Sequence, residues 1–241
     1  MTGSPLQHLR RTLRDDWPRL IIELVVVVAG ISISFALDEW RRDREDRREE
    51  RRNWGAIREN LSADSLVLTG RIAQLKGMLR AYDGLMTGGP ADSLDSYMDQ
   101  SISYVVFTPT QSAYRELQQM AGSRLMRNHA LVTAITNAYN REYVRAAEWD
   151  QIGRDFVLQR MIPYLDETAP YVAGIGGGEQ ATGLGAVYRS LRKRDQFMNL
   201  VRTNRLFKAA QLSVYSAVLK RVLVLQSDVG RELGESAGTG K

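Results

Sequence analysis

The chain of 241 residues contains no cysteine, and this excludes several kinds of chemistry. Disulfide bonds, thiol nucleophiles and cysteine-based metal sites all need that side chain. Histidine is almost as scarce, since only His8 and His129 occur. His8 lies in the short N-terminal tail, and His129 follows Asn128 at a predicted helix start, so neither suggests a metal site or a serine–histidine–aspartate triad. We therefore expect no enzyme activity, no cofactor and no metal.

Motifs that bind nucleotides or nucleic acids lack the context they need. Glycines within 174–185 are dense enough for a phosphate-binding loop, but they follow Pro163 and Pro170 and not a strand, so we interpret them as a loop between helices. The segment 238–241, Gly-Thr-Gly-Lys, has no helix after it and is interpreted as a tail. The net charge is +5, but basic residues are dispersed among acids, so no nucleic acid partner is expected.

Long apolar runs are equally rare, and only residues 20–37 form one that could cross a bilayer. At 1.5 Å per residue this run covers about 27 Å, close to the thickness of the hydrocarbon layer. Trp17 and Trp40 flank it, where aromatic side chains lie at the two membrane interfaces. A buried core helix is the alternative, but no face of the run is polar. The sequence therefore predicts a transmembrane helix over 20–40 after an N-terminal tail, 1–19.

The run does not resemble a cleaved signal peptide. It ends in Leu37 and Asp38 without the small-residue site that a signal peptidase needs, so we expect a retained anchor. No second apolar run approaches 18 residues, which predicts a single membrane span. The expected location is the bacterial inner membrane.

Seven arginines follow the span, in a charged helical stem over 41–53. A count of basic residues alone would place the C-terminal side in the cytoplasm. Acidic residues interleave with these arginines, however, and ion pairs four residues apart would leave the stem without net charge. The expected pairs are Arg41 with Glu45, Arg42 with Asp46 and Asp43 with Arg47. We therefore expect the basic N-terminal tail inside and the bulk domain in the periplasm.

The chain after the stem has the period of α-helices. Apolar residues from Trp54 to Tyr82 step by three, four or seven, with a stutter between Leu68 and Ile72, so one helix is expected from the membrane to about Met86. Gly88-Gly89-Pro90 would end it. The other apolar positions of this helix are Ile57, Leu61, Leu75 and Leu79.

Four more helices are expected in a bundle domain over 54–234, before a flexible tail, 235–241. The second covers Asp92 to about Val106, and the third starts at Thr108-Pro109-Thr110-Gln111 and stops at Gly122. Asn128 caps the fourth, which ends at Pro163, and Asp195 caps the last. The predicted fold is all-α: a transmembrane helix, a stem helix and an extramembrane helical bundle. Large residues expected in its core are Trp54, Tyr114, Tyr139, Trp149 and Phe156.

The span contains small residues at helical spacing. Gly30 with Ser34, and Ser32 with Ala36, would let another transmembrane helix approach closely, although such residues are common in spans. Glu23 lies one turn from Arg19, and snorkelling toward that arginine is the simplest interpretation. We take Glu23, Gly30, Ser34 and Ala36 as candidate packing residues of the transmembrane helix.

Three blocks of the sequence resemble an uncharacterised bacterial family of single-span, membrane-anchored α-helical proteins. The first covers residues 23–31 and 36–40, and the second covers 113–117 and 122–128 with Leu131 and Tyr139. The closing amphipathic helix is a third, weaker block. The resemblance implies a membrane-anchored helical domain and supplies no activity.

These observations favour a non-enzymatic accessory or scaffolding subunit. Its expected partners are the membrane and other integral membrane proteins of a larger complex, and respiratory or photosynthetic assemblies are the expected setting. Association of several copies of the chain stays open. The alternative is a periplasmic sensor or ligand-binding bundle, which would need a partner because only about 19 residues would reach the cytoplasm.

Overall fold

The structure, a computed structural model, describes residues 5–120, 126–168 and 184–234. The described residues are 89% helical and include no strand, which confirms the predicted all-α fold. The chain forms two compact units, Met1–Arg51 and Arg52–Lys241. The glycines at 174–183, the tail 235–241 and the predicted helix stop at Gly122 lie outside the described residues.

The helices follow one another with short connections. They are α1 (Pro5–Thr87), α2 (Leu94–Ser101), α3 (Ser112–Met120), α4 (His129–Asn137), α5 (Tyr143–Phe156), α6 (Ile162–Thr168), α7 (Leu184–Leu191) and α8 (Asp195–Glu232). A 3₁₀ turn, Ala91–Ser93, leads into α2. The π-helical turns Ala138–Glu142 and Val157–Met161 join α4 to α5 and α5 to α6.

The apolar part of α1 in the first unit is exposed. None of its most apolar 18-residue window is buried, and the helix is long and apolar enough to cross a membrane. Phe35 exposes 71% of its surface and Ile22 exposes 64%. The core helix of a water-soluble domain would bury such residues, so this stretch is a candidate membrane span.

The part of α1 in the second unit contributes one continuous buried stripe. Its members lie three or four residues apart, with one step of seven from Leu68 to Leu75, a heptad pattern that packs helices side by side. They are Trp54, Ile57, Leu61, Asp64, Leu68, Leu75, Met78, Tyr82 and Leu85. The predicted stutter is wrong, because Ile72 and Leu79 are only half-buried and Met78 lies in the core.

A glycine ends α1, as predicted. Gly88 has a φ of +77°, a left-handed conformation that favours glycine. The amide of Gly89 donates to the carbonyl of Gly84 at 2.7 Å, the bond of a Schellman cap. The helix therefore closes at Thr87, one residue later than predicted.

The second helix is shorter than predicted. It ends at Ser101, and residues 102–111 form an extended segment that we call the strap. Val105 and Phe107 are buried and Tyr104 is exposed, so side chains alternate between core and surface. The third helix begins at Ser112, three residues later than predicted. Gln111, and not Thr108, accepts its first backbone bond.

The fourth predicted helix exists and runs past Pro163. Asn128 caps its start as predicted, because its side chain accepts a hydrogen bond from the amide of Leu131 at 3.0 Å. The helical run then continues through both π-helical turns to Thr168, so the predicted end at Pro163 is wrong. A proline removes a donor and crowds the preceding turn, and the adjacent wider π-helical turn accommodates it.

The last helix, α8, pairs with α1 in antiparallel fashion. Arg205 binds Asp83 at 2.6 Å near one end, and Gln226 donates to Ser62 and Ser65 at 3.3 Å near the other. Asp195 lies in the first turn and Arg194 precedes it without a side-chain cap, so the predicted capping role of Asp195 is wrong. The buried stripe of α8 repeats the heptad spacing. Its residues are Phe197, Val201, Asn204, Lys208, Gln211, Tyr215, Val218, Val222, Leu225 and Val229.

Three of the five large residues expected in the core are buried. Trp54, Tyr114 and Tyr139 expose 6% or less of their surface. Trp149 and Phe156 are only half-buried, and both place their rings against Phe207 at the edge of the α5–α8 contact. The prediction of a fully buried position is wrong for these two.

Candidate functional site

The tryptophans predicted at the membrane interface lie on α1 with exposed side chains. Trp17 exposes 62% and Trp40 exposes 58% of its surface. The guanidinium of Arg44 lies 5.4 Å from the ring centre of Trp40, a cation–π contact one turn beyond the span. Large exposed aromatic rings at the ends of an exposed apolar helix have the arrangement of an interfacial belt.

The candidate packing residues of the span are only partly brought together. Gly30 and Ser34 share a shallow groove, and the hydroxyl of Ser34 donates to the carbonyl of Gly30 at 2.9 Å. A Cβ at Gly30 would meet no atom within 4 Å, so nothing in the described chain uses the space beside it. Ala36 does not line this groove, and Glu23 is exposed. The side chain of Arg19, the expected partner of Glu23, lies outside the described residues.

The stem has only one of the three expected ion pairs. Asp43 binds Arg47 at 2.8 Å as predicted, whereas Arg42 binds Asp38 at 3.4 Å and not Asp46. No ion pair joins Arg41 to Glu45 in the described stem. Both observed pairs have the acid on the N-terminal side, the orientation that the helix dipole favours.

The most distinctive polar cluster is one that the sequence analysis missed, and it holds the strap. Asp150 on α5 is 4% exposed. Its carboxylate accepts hydrogen bonds from the amide of Phe107 at 2.8 Å, the hydroxyl of Tyr215 at 2.5 Å and the amide of Gln211 at 2.6 Å. The same Gln211 nitrogen donates to the carbonyl of Val105 at 2.9 Å. Two helices thus bind the strap backbone through one carboxylate and one amide.

A second buried carboxylate holds the other end of the strap. Asp64 on α1 is 1% exposed and accepts hydrogen bonds from the amide of Thr110 and the hydroxyl of Tyr143, both at 2.8 Å. Tyr139 donates to the carbonyl of Thr110, also at 2.8 Å. Buried backbone groups need partners, and an extended segment without a neighbouring strand can only find them on side chains.

The start of the strap is fixed in the same way. The carbonyl of Ser101 accepts hydrogen bonds from Tyr82 at 2.9 Å and from Asn204 at 3.1 Å. Burial raises the pKa of both Asp64 and Asp150, and the hydrogen bonds that each carboxylate accepts oppose that rise. The polar residues in the core stripes of α1 and α8 are therefore the partners of the strap.

One polar side chain of the α8 stripe has no such role. Lys208 is fully buried, and its Nζ has no hydrogen-bond partner among the described residues. The Oδ1 of Asn204 and the Oε1 of Gln211, one turn away on either side, are also unpartnered. Gly153 on α5 faces this point, since a Cβ there would lie 3.3 Å from Nζ and 3.8 Å from Oε1. Burial lowers the pKa of Lys208 to about 8, and the charge of Asp150 opposes that change.

The described residues include no group of three histidine, aspartate or glutamate side chains placed to hold a metal ion. Lys208, Gln211 and Asn204 are instead hydrogen-bonding groups, which suit a small polar molecule with both donors and acceptors. Sequence periodicity missed them because it counts apolar residues only. The sequence does carry a signal for them, because these polar residues continue the three- and four-residue spacing of the apolar positions in α8 without a break.

Comparison with protein-family models, curated proteins and solved structures finds no match to this chain. The family resemblance of the three sequence blocks therefore stays a prediction, and the function of the chain is inferred from its own geometry.

Replacement of Asp150 by alanine should destabilise the domain. The amide of Phe107 and the hydroxyl of Tyr215 would lose their acceptor, and each buried group left without a partner costs about 1–3 kcal/mol. Thermal unfolding of the full chain in detergent, followed by circular dichroism, measures this loss. Asp166→Ala is the control, because Asp166 is exposed. Equal midpoints for the two variants would show that the strap does not depend on Asp150.

Replacement of Lys208 by methionine should stabilise the domain at pH 7. The pKa of Lys208 falls from 10.5 to about 8 on folding, so the cost of its charge is fully present below pH 8 and disappears as the pH rises toward 10.5. At about 1.36 kcal/mol per pH unit, this cost is about 3 kcal/mol.

The measurement is denaturant unfolding from pH 7 to 10.5, expressed as the difference between wild type and variant. The stabilisation by Lys208→Met should shrink across that range. Lys220→Met, an exposed position on the same helix, should show no such trend. A difference that does not change with pH would mean that folding leaves the pKa of Lys208 unchanged, so that burial does not penalise its charge.

Proposed function

We propose that this chain is a membrane-anchored accessory subunit that docks on or stabilises a larger complex of the bacterial inner membrane and has no enzymatic activity of its own. The observation that carries the proposal is the exposed apolar stretch of α1. None of its most apolar window is buried, although the second unit has an extensive core of its own. Apolar surface on this scale is stable only in a bilayer or against other apolar helices.

The use of the polar core residues supports the same proposal. Asp64 and Asp150, the two most deeply buried carboxylates of the described chain, bind the backbone of the strap, so they serve the fold. Catalytic carboxylates usually face a cleft where a substrate can reach them. Because these polar groups serve the fold, the surfaces left for a function are the outside of the domain and its membrane helix, where partner proteins can bind.

The topology of the proposed subunit is inferred from its charges. The basic N-terminal tail would lie in the cytoplasm and the bundle in the periplasm. Respiratory and photosynthetic assemblies are the proposed hosts, because such complexes combine several integral subunits with small single-span ones.

A ligand-binding or sensory function is the second candidate, and one observation favours it. The unpartnered atoms of Asn204, Lys208 and Gln211 lie on successive turns of α8. A small polar molecule at the α5–α8 contact would supply the missing hydrogen bonds. With the proposed topology a partner protein would have to carry the signal across the membrane.

Purification from the native membrane tests the accessory role. The full chain with an affinity tag, extracted in mild detergent, should bring down a constant set of integral membrane proteins, identified by mass spectrometry. A variant in which leucines replace residues 20–37 keeps an anchor but loses specific helix contacts, so it should recover fewer of these proteins. Isolation of the wild-type chain alone, or only with copies of itself, would contradict the accessory role.

Reporter fusions test the topology. Alkaline phosphatase is active only in the periplasm, so its fusion after Glu232 should be active, and a green fluorescent protein fused at the same place should be dark. The opposite pair of results would place the domain in the cytoplasm. Removal of the arginines before residue 20 should weaken the expected orientation.

A further inference from the structure

The charges of the stem lie on separate faces of α1. A helix turns by about 100° per residue, and on this basis five arginines fall within an arc of about 120°. We call them the basic face. Its residues are Arg41, Arg44, Arg47, Arg48 and Arg51.

The acidic residues occupy most of the remaining surface, within an arc of about 160°. Arg42 lies among them, and Arg52 lies between the two faces. The acidic face consists of Asp38, Glu39, Asp43, Glu45, Asp46, Glu49 and Glu50. A count of charges shows a balanced stem, whereas the helix presents one basic and one acidic side.

Most of the basic face has no partner within the chain. Arg41, Arg48 and Arg51 are exposed and form no ion pair among the described residues, and Arg44 lies over Trp40. On the nearest part of the acidic face, Glu45 and Glu49 are exposed as well. The exposed arginines of the basic face, together with Glu45 and Glu49 on the acidic face, are therefore available to a partner that carries the opposite charge.

The headgroup layer of anionic lipids is too thin to reach the whole length of the basic face. The eleven residues from Arg41 to Arg51 rise by about 15 Å along the helix. The headgroup layer outside the hydrocarbon is only about 5–8 Å thick on each side. An upright stem thus carries Arg48 and Arg51 beyond the lipid phosphates, where only another protein can pair with them.

We propose that the partner is a second copy of this chain, packed in parallel so that the basic face of each stem meets the acidic face of the other. Two copies insert in the same orientation, so their symmetry axis runs along the helices. Rotation by half a turn about that axis places the basic flank of one helix beside the acidic flank of its neighbour. An antiparallel pair would bring like charges together.

The span favours the same contact. The boundary between the two faces passes between Arg41 and Glu45, and Gly30 and Ser34 point within about 40° of that direction. The space beside Gly30 is open, which permits close approach of a second helix. One line along α1 therefore combines a small-residue contact in the span with complementary charges in the stem.

Disulfide cross-linking in native membranes tests the dimer, because the chain has no cysteine of its own. Ser34→Cys in the full chain should form a cross-linked dimer under mild oxidation. Ser32→Cys is the matched control, since it lies about 160° away around the helix. Equal cross-linking of the two variants, or none at Ser34→Cys, would overturn the proposal.

Charge reversal tests the contribution of the stem. In the Ser34→Cys background, replacement of Arg41, Arg44 and Arg48 by glutamate makes both faces acidic. Replacement of Asp38, Glu45 and Glu49 by arginine makes both faces basic. Each variant alone should cross-link about tenfold less, since several exposed ion pairs become like-charge pairs.

Co-expression of the two reversed variants with tags of different size should restore cross-linking, and only between unlike chains. The amount of each variant in the membrane is measured in parallel. Cross-linking of the single variants at the wild-type level, or no recovery in the mixture, would overturn the proposal. The accessory role is tested separately, since co-purified integral proteins would still appear if the chain were a monomer.

Discussion

The packing of the second unit depends on how a buried extended segment finds hydrogen-bond partners inside an all-helical core. The strap, residues 102–111, enters the bundle without a neighbouring strand. Its amides and carbonyls would each cost about 1–3 kcal/mol if left unpaired. Asp64 and Asp150 accept from two of its amides, and Gln211 donates to one of its carbonyls. Through these bonds α1, α5 and α8 hold one another in place.

Much of this fold was predictable because helix periodicity and helix ends are local signals. Apolar spacing predicted the long helix α1 and the closing helix α8, and capping residues predicted the ends near Gly88 and Asn128. The strap was not predictable in the same way. Val105 and Phe107 alternate with period two over too few residues to outweigh the helical pattern before them. The helix beyond Pro163 depends on a π-helical turn that no local rule specifies.

The candidate sites likewise divide into those that local sequence signals predict and those that depend on residues distant in sequence. Length and composition predicted the span, and in the structure it is an exposed apolar helix, a candidate membrane span. Asn204, Lys208 and Gln211 escaped prediction because their importance arises from what lies opposite them, and Gly153 and the strap are distant in sequence. For the stem, the composition indicated a neutral segment, whereas the angular positions of the same residues separate the two charges.

The antiparallel pair of α1 and α8 has one fixed axial register. Two apolar heptad stripes could shift by seven residues and still bury their leucines and valines. A shift would carry Asn204 and Gln211 about 10 Å from Ser101 and Val105, the carbonyls that they now bind. The polar core residues thus permit only one register between α1 and α8. A signal that passed through this domain could not travel as a sliding motion of the two helices, and would first have to release the strap.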